Sequence, residues 1–354
     1  MAELKLWDKS TKTVYNESCM FVFKRSSNLL FPAREIIKVS NPTLGVDYEA
    51  GRDYLHTPGT REITIPEDSR IPFCDESVMY PVGDDVKVYP DPEAIAVTGD
   101  DKKYRFHAGN WFACNQVEIT YIAEVIDWEV DPEFKALDKL PNFRKKLKSG
   151  EPVVISLIGD SISEGYNATA FVKSPPFQPQ YAELLRAELE KRYRHPVIMH
   201  NRAINGTGCR SAEKIKADYE GDAPDLLIIA YGMNDFFSLT AENFIEVLDG
   251  IIASCRKTNP HTEYLLISSM NGNPEWKYTH PGKDRLFSDA MQKYAASQDC
   301  SVAIANNFIF WQQLQQYKSY FDITGNGVNH PNDYGHRFQA SAILNTLDLD
   351  GEYF

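Results

Sequence analysis

From the amino terminus to about Asp131, short runs of alternating or β-branched residues are separated by turn residues. Alternation with a period of two is typical of strands with one buried face, and closely spaced turns are typical of all-β sandwiches. The pattern predicts a jelly-roll-like β domain over residues 1–150, which ends in a linker and a short helix after Asp131. The runs on which this prediction rests are Met20–Phe23, Glu35–Val39, Glu62–Ile65, Val86–Tyr89 and Val117–Glu124.

After Pro152 the pattern changes to apolar runs that alternate with amphipathic segments. This alternation predicts an α/β domain over residues 151–354, with a parallel sheet covered by helices on both faces. The predicted strands are Val153–Ile158, Val197–His200, Asp225–Tyr231, Tyr264–Ser268 and Val302–Ile304. The predicted helices are Gln180–Tyr193, Ser211–Tyr219, Ala241–Lys257, Lys283–Ser297 and Asp333–Leu347.

Polar residues follow three of these strands, at the sheet edge where ligands of open parallel sheets bind. The first strand is followed by GDSISEG at 159–165, the second by NRAING at 201–206 and the third by GMND at 232–235. NHPNDYGH at 329–336 lies near the carboxyl terminus. Together they supply the residue types that acyl transfer requires.

Each residue has a chemical use. The Ser161 hydroxyl is a candidate nucleophile, which needs a base such as His330 to take its proton. The N–H groups of Ser161 and Gly206 and the side-chain amide of Asn234 are candidate oxyanion donors.

Each residue also has a structural alternative. Ser161 with Glu164 forms a capping-box pattern, Gly206 and Asn234 suit turns, and His330 suits an ordinary loop. Their joint placement at successive strand ends favours the catalytic interpretation.

These four blocks resemble those of the SGNH, or GDSL-type, hydrolases, with Ser161, Gly206, Asn234 and His330 in the name-giving positions. The resemblance covers residues 152–349 and implies an SGNH-type parallel sheet flanked by helices and a serine ester hydrolase without a cofactor. The whole chain is similar to gut-bacterial carbohydrate acetylesterases, and family 17 of the carbohydrate esterases in particular. That similarity implies acetylated mannan or xylan oligosaccharides as substrates and a carbohydrate-binding-like front domain.

The chain departs from the family pattern at the residue that should orient the histidine. Most members carry aspartate three residues before the histidine, where this chain has Gly327, and others carry it four before, where this chain has Asn326. Three alternatives stay open: Asp322 reaches Nδ1 of His330, a backbone carbonyl near Gly327 orients the ring, or the enzyme is impaired.

Charge and cysteine usage exclude several classes. A net charge of -13 argues against nucleic acid and anionic lipid as partners. The amino-terminal segment lacks the pattern of a signal peptide, and no run reaches membrane-spanning length, so we expect a cytoplasmic protein. Six scattered cysteines predict free thiols. Oligomer formation is left open.

Metal binding and two other functions compete with this prediction. His330, Asp333 and His336 could ligate zinc, but they lack a second cluster to complete a site, and we expect no metal. A lipid or thioester hydrolase would use the same chemistry, and a sugar-binding protein without activity would explain the missing acid.

Overall fold

The structure is a computed structural model that describes residues 4–88, 94–97, 102–347 and 353–354. Within these ranges the front part of the chain is built on β-strands. They are β1 (Trp7–Asp8), β2 (Thr13–Val22), β3 (Ser26–Asn41), β4 (Val46–Tyr48), β5 (Leu55–His56), β6 (Thr60–Thr64), β7 (Phe73–Cys74), β8 (Ala94–Ala96), β9 (Lys103–Arg105) and β10 (Gln116–Ala123).

Eight of the described front strands form one sheet, with β1-β2-β10-β3-β6-β5 in order, β4 beside β3 and β7 beside β2. The pairs are antiparallel except β2 with β7, and β8 and β9 form a separate antiparallel hairpin. The prediction of an all-β front part is confirmed, whereas its jelly-roll type stays a prediction. In the run Val86–Tyr89, Val88 makes only an isolated bridge to Ala94, and Tyr89 lies outside the described residues.

The second part contains a five-stranded parallel sheet among its described residues, in the order β12-β11-β13-β14-β15. Its strands are β11 (Val153–Gly159), β12 (Val197–Asn201), β13 (Leu226–Ala230), β14 (Glu263–Ile267) and β15 (Val302–Ala305). Nearly every residue of β11, β13, β14 and β15 is buried, as expected for strands covered on both faces. The α/β prediction is confirmed.

Two of the described helices, α1 (Glu76–Met79) and α2 (Trp111–Asn115), belong to the front part, and the others follow β10 in the chain. The others are α3 (Pro141–Ser149), α4 (Ser161–Glu164), α5 (Tyr181–Tyr193), α6 (Lys216–Gly221), α7 (Ala241–Thr258), α8 (Lys283–Ser297), α9 (Asn307–Leu314), α10 (Tyr320–Ile323) and α11 (Asp333–Leu347), with 3-10 helices at Pro132–Phe134 and Cys209–Ile215. The expected helix Ser211–Tyr219 is thus a 3-10 helix followed by α6. None of the described helices is both long and apolar enough to cross a membrane.

The two parts share one buried apolar cluster, which includes Trp7 and Phe31 from the front sheet and Trp311 and Phe338 from the helices. The division at residue 150 therefore stays a prediction. All six cysteines are free, and Cys300 is exposed.

A buried ion pair also joins the two parts. The ammonium group of Lys318 lies 2.8 Å from Oε1 of Glu17 on β2, and neither side chain is exposed to solvent. Lys318 also donates to the Asn28 carbonyl at 2.8 Å and contacts Sγ of Cys19 at 3.1 Å. Glu17 accepts a further bond of 2.7 Å from the hydroxyl of Tyr121. Because the charges are paired and hydrogen-bonded, their burial is tolerated.

We expect Lys318→Met to lower the free energy of unfolding by about 3–5 kcal/mol, because it leaves the Glu17 carboxylate buried without its cation. The urea midpoint, followed by circular dichroism, measures this loss. Lys191→Met is the control, since Lys191 is an exposed lysine beside Glu188. Equal shifts for the two variants would contradict the expected contribution of the buried pair.

Candidate active site

Ser161 lies just beyond the carboxyl end of β11, in the first turn of α4. Asp160 caps this helix, and its carboxylate accepts a bond of 3.0 Å from the backbone N–H of Ile162. Glu164, the other residue of the expected capping box, accepts instead from the N–H of Asn205 at 2.6 Å. The cap is therefore Asp160, and Ser161 makes a different contact.

That contact is with His330. Oγ of Ser161 lies 2.9 Å from Nε2 of His330, and the two residues are 5% and 9% exposed. The histidine lies on a closed loop, in which a bridge pairs Thr324 with Pro331 and the N–H of Gly325 donates to the His330 carbonyl. A hydroxyl within hydrogen-bond reach of imidazole is the arrangement of a nucleophile and its base.

Asn326, four residues before His330, shapes this loop. Its Oδ1 accepts from the backbone N–H groups of Val328, Asn329 and His330 at 2.9, 3.0 and 3.1 Å. Asn326 therefore supports the backbone of the loop.

The partner of the second ring nitrogen is Asn167, which the sequence analysis did not single out as a site residue. Nδ1 of His330 lies 2.9 Å from Oδ1 of Asn167, in the turns that follow α4. An amide oxygen only accepts hydrogen bonds, so Nδ1 carries the hydrogen and Nε2 is left to accept from Ser161. Asn167 has a φ of 65°, in the left-handed region where asparagine is enriched. The sequence signal that could have drawn attention to Asn167 is this preference of asparagine for turns in the left-handed conformation.

Of the three alternatives, the one in which Asp322 reaches Nδ1 of His330 does not agree with the hydrogen bonds of its carboxylate. One carboxylate oxygen accepts from the N–H and the hydroxyl of Ser319, each at 2.8 Å, at the start of α10. The other oxygen accepts from the N–H of Met20 at 2.8 Å. Both oxygens are thus engaged in joining α10 to β2.

A backbone carbonyl near Gly327 was the second alternative for orienting the ring of His330, but the Gly327 carbonyl also has other partners. It accepts from the hydroxyl of Tyr104 at 3.2 Å and from the side-chain amide of Asn273 at 2.9 Å. Tyr104 lies on β9, so the front part of the chain holds the loop that carries His330. This front-part contact could not be expected from the spacing of the four blocks.

Gly206 and Asn234 lie in the loops after β12 and β13, the two strands that flank β11. The Asn234 amide donates to the Thr207 carbonyl at 2.9 Å and so ties these loops together. Gly206 has a φ of 71°, which favours glycine. The N–H of Ser161, in the first turn of α4, has no acceptor inside its own helix. The role of these three groups as oxyanion donors stays a prediction.

The residues considered for zinc have separate partners. Asp333 accepts from the N–H and the hydroxyl of Thr169 at 2.8 and 2.6 Å, and Nδ1 of His336 accepts from the N–H of Tyr181 at 3.4 Å. Over the described ranges, no three His, Cys, Asp or Glu side chains form a group suited to a metal ion.

Burial controls the electrostatics of the site. Burial lowers the pKa of His330 to about 3, because the charged imidazolium loses its hydration. Burial also raises the pKa of Asp160 to about 7, and the nearby Asp235 carboxylate acts in the same direction. The base is thus a neutral imidazole that a neutral amide orients.

One aromatic ring contacts the base, and a second, exposed aromatic pair includes a residue that follows Asn234 in the chain. The Tyr166 ring lies 5.4 Å from that of His330 and 4.3 Å from that of Phe171. Beyond Asn234, the ring of Phe237 meets that of Tyr278 at 5.8 Å with an interplanar angle of 81°. Phe237 and Tyr278 are 62% and 46% exposed. Such flat apolar faces are suited to stacking against a ligand.

We expect His330 to stay neutral down to about pH 5, whereas an ordinary histidine with a pKa near 6.5 would be mostly protonated there. Histidine NMR signals recorded between pH 5 and 8 test this, and the His330 signal is assigned by its disappearance in His330→Gln. A His330 signal that titrates near 6.5 would contradict the expected effect of burial.

The chain is similar to one protein family and to several solved structures. No curated protein sequence matches the chain. Similar solved structures include LAE5, an α/β hydrolase from the metagenome of Lake Arreo, Spain, at 19% identity, covering 56% of this chain and 97% of that one with a TM-score of 0.46. Axe2, an acetylxylan esterase from Geobacillus stearothermophilus, is 16% identical, with coverages of 58% and 98% and a TM-score of 0.46. The lipase Lip_vut3 from a goat rumen metagenome is 13% identical, with coverages of 55% and 97% and a TM-score of 0.44.

The sequence model of the GDSL-like lipase/acylhydrolase family matches residues 157–338, slightly more than half of the chain. The match begins in β11, ends in α11 and includes Ser161, Gly206, Asn234 and His330. The chain therefore belongs to the GDSL-like lipase/acylhydrolase family.

Proposed function

We propose that this protein is a serine esterase that removes O-acetyl groups from oligosaccharides, such as mannan or xylan fragments, through an acetyl-enzyme intermediate. The observation that carries the proposal is the 2.9 Å contact between the Ser161 hydroxyl and Nε2 of His330. Membership of an acylhydrolase family supports ester hydrolysis. The acetyl group and the sugar are the proposed refinements.

In the first half-reaction, Oγ of Ser161 attacks the acetyl carbonyl carbon while Nε2 of His330 takes the hydroxyl proton. The carbonyl oxygen becomes an oxyanion, to which we expect the N–H groups of Ser161 and Gly206 and the amide of Asn234 to donate. The tetrahedral intermediate collapses when Nε2 passes the proton to the departing sugar oxygen. Acetyl-Ser161 and a free sugar hydroxyl result.

The second half-reaction uses the same groups with water as the nucleophile. Nε2 takes a proton from water, hydroxide adds to the acetyl carbon, and Oγ of Ser161 leaves with that proton from Nε2. Acetate is released and the serine is restored. No step needs a metal or a cofactor.

The surroundings of the site favour a sugar over a long acyl chain. The segment 271–282, which carries Tyr278, is otherwise largely polar and rich in proline and glycine. The ammonium of Lys283 donates to the carbonyl of Phe236 at 2.8 Å and so fixes this segment beside the loop of Asn234. Isolated aromatic faces among polar groups suit pyranose rings, which are apolar on their faces and polar at their rims.

Acetate release from acetylated mannooligosaccharides and xylooligosaccharides tests the proposed function. We expect release by the wild-type enzyme and its loss in Ser161→Ala, which removes the nucleophile, whereas Ser163→Ala, in the same helix, keeps activity. A transient mass increase of one acetyl group on the peptide that contains Ser161 identifies the intermediate.

Faster turnover of octanoyl than of acetyl nitrophenyl esters would favour a lipid substrate instead. Saturable glycan binding without any nitrophenol release would favour a sugar-binding protein.

We expect Phe237→Ala and Tyr278→Ala to raise the KM for acetylated oligosaccharides by about three- to tenfold, because an aromatic contact contributes about 0.5–1.5 kcal/mol. The KM for nitrophenyl acetate, which lacks the sugar, should change little. Leu137→Ala is the matched control, since Leu137 is 59% exposed and lies away from the site. The backbone N–H of Leu140, three residues later, donates a hydrogen bond to the carbonyl of Cys300, just before the amino end of the edge strand β15. Unchanged KM values in both aromatic variants would exclude this stacking surface.

A further inference from the structure

The amide of Asn167 is enclosed on its nitrogen side by three backbone carbonyls. Nδ2 lies 2.9 Å from the oxygen of Gly325, 3.2 Å from that of His107 and 3.3 Å from that of Gly109. The amide oxygen faces His330, and the whole side chain is buried. We call these three carbonyls the carbonyl cage.

The carbonyl cage allows only one orientation of the amide. If the group rotated by half a turn, Oδ1 would face three carbonyl oxygens that offer no hydrogen, and Nδ2 would face Nδ1 of His330. Acceptors buried against acceptors are strongly unfavourable. The cage therefore keeps Oδ1 toward Nδ1 of His330.

The orientation of the amide decides the tautomer of the histidine. With Oδ1 as the acceptor, the hydrogen lies on Nδ1, and Nε2 has a free lone pair toward Ser161. In a Ser-His-Asp triad, asparagine in place of the acid yields the wrong tautomer and costs about 10⁴-fold in turnover. An asparagine that the surrounding carbonyls hold as an acceptor avoids that loss.

We propose that the carbonyl cage makes Asn167 the positioning residue of His330, and that the front part of the chain thereby takes part in catalysis. This inference rests on the proposed esterase function. Two of the three carbonyls, those of His107 and Gly109, belong to the front part, between β9 and α2. The segment is itself folded by a bond of 2.9 Å from the N–H of Gly109 to Nδ1 of His107.

The third carbonyl belongs to the loop of His330 and requires glycine. A Cβ atom at Gly325 would lie 2.6 Å from Cβ of Asn167 and 2.9 Å from its carbonyl oxygen. Only a residue without a side chain lets the two loops approach closely enough for this bond. The cage thus joins the front part, the turns after α4 and the loop of His330.

A carboxylate is excluded from the same position. Aspartate at 167 would direct one of its oxygens at three carbonyl oxygens, where no hydrogen is available to it. We therefore expect Asn167→Asp to lower the kcat for nitrophenyl acetate at pH 8 at least tenfold, although an acid is the usual third member of such sites. A kcat equal to or above that of the wild type would overturn the exclusion of a carboxylate.

Asn167→Ala tests the positioning role itself. We expect the kcat for nitrophenyl acetate to fall about 10²- to 10⁴-fold with little change in KM, because the correct tautomer is no longer enforced. Nitrogen-15 NMR of labelled histidine reads the tautomer directly. In the wild type, Nδ1 of His330 should be the protonated nitrogen, whereas the variant should show a mixture of both tautomers.

Asn110→Ala is the matched control. It removes another bond between the same two segments, from the Asn110 amide to the Ser174 hydroxyl at 2.8 Å. We expect it to leave the kcat and the tautomer unchanged. If Asn167→Ala behaves like Asn110→Ala in both measurements, Asn167 only links the segments and the proposal is overturned.

The NMR measurement needs no turnover and separates this inference from the proposed function. Absence of any nitrophenol release by the wild type would refute the esterase, but the histidine tautomer would still decide the role of the cage.

Discussion

The hydrogen bond from Nδ1 of His330 to Oδ1 of Asn167 is the interaction on which the site depends. Burial suppresses the charged form of the histidine, so no ionic attraction is available to orient its ring. Of the two ring nitrogens, the one that faces Ser161 can act as a base only if the other carries the hydrogen. A single neutral bond therefore determines whether the Ser161 contact can transfer a proton.

That bond requires the front and rear parts of the chain to be held together closely. The side-chain amide of Gln116, on β10, donates to the carbonyls of Phe321 and Thr324 at 2.7 Å each. Asn332 donates back to the carboxamide oxygen of Gln116 at 3.1 Å. With the buried pair of Lys318 and Glu17, these bonds connect the front sheet to the segment that leads into the loop of His330. The position of His330 thus depends on contacts between the front and rear parts of the chain, which a division into two domains would treat as separate.

The same contacts between the two parts explain why Asp322 does not act on the histidine. Its carboxylate forms the capping box at the start of α10 and accepts a hydrogen bond from the N–H of Met20 on β2, so it helps to fix the start of the loop that carries His330. Moving it toward Nδ1 would break the capping box and leave the N–H of Met20 without an acceptor. Asp322 is therefore used to build the loop, and the orienting function passes to a neutral side chain.

What could be predicted from the sequence follows from local periodicity. The five parallel strands lie within one residue of their predicted bounds, because fully buried strands read as continuous apolar runs. The helix α9 was not predicted, because its sequence NFIFWQQL is buried on most sides and lacks amphipathic spacing. Asn167 could not be found in this way, since its partners come from segments about 60 residues before it and about 160 after it. Only the folded arrangement brings them together.

A neutral orienting residue has a chemical consequence for the reaction. Asparagine cannot balance the imidazolium that forms when His330 takes the proton of Ser161, so this charge must be stabilised mainly by the oxyanion that forms beside it. A low pKa makes imidazole a weaker base, but it makes the imidazolium a stronger acid toward the departing oxygen. Esters of aliphatic alcohols need that second step, because an alkoxide is a poor leaving group without a proton. A buried Ser-His-Asn arrangement therefore favours protonation of the leaving alcohol over activation of the nucleophile.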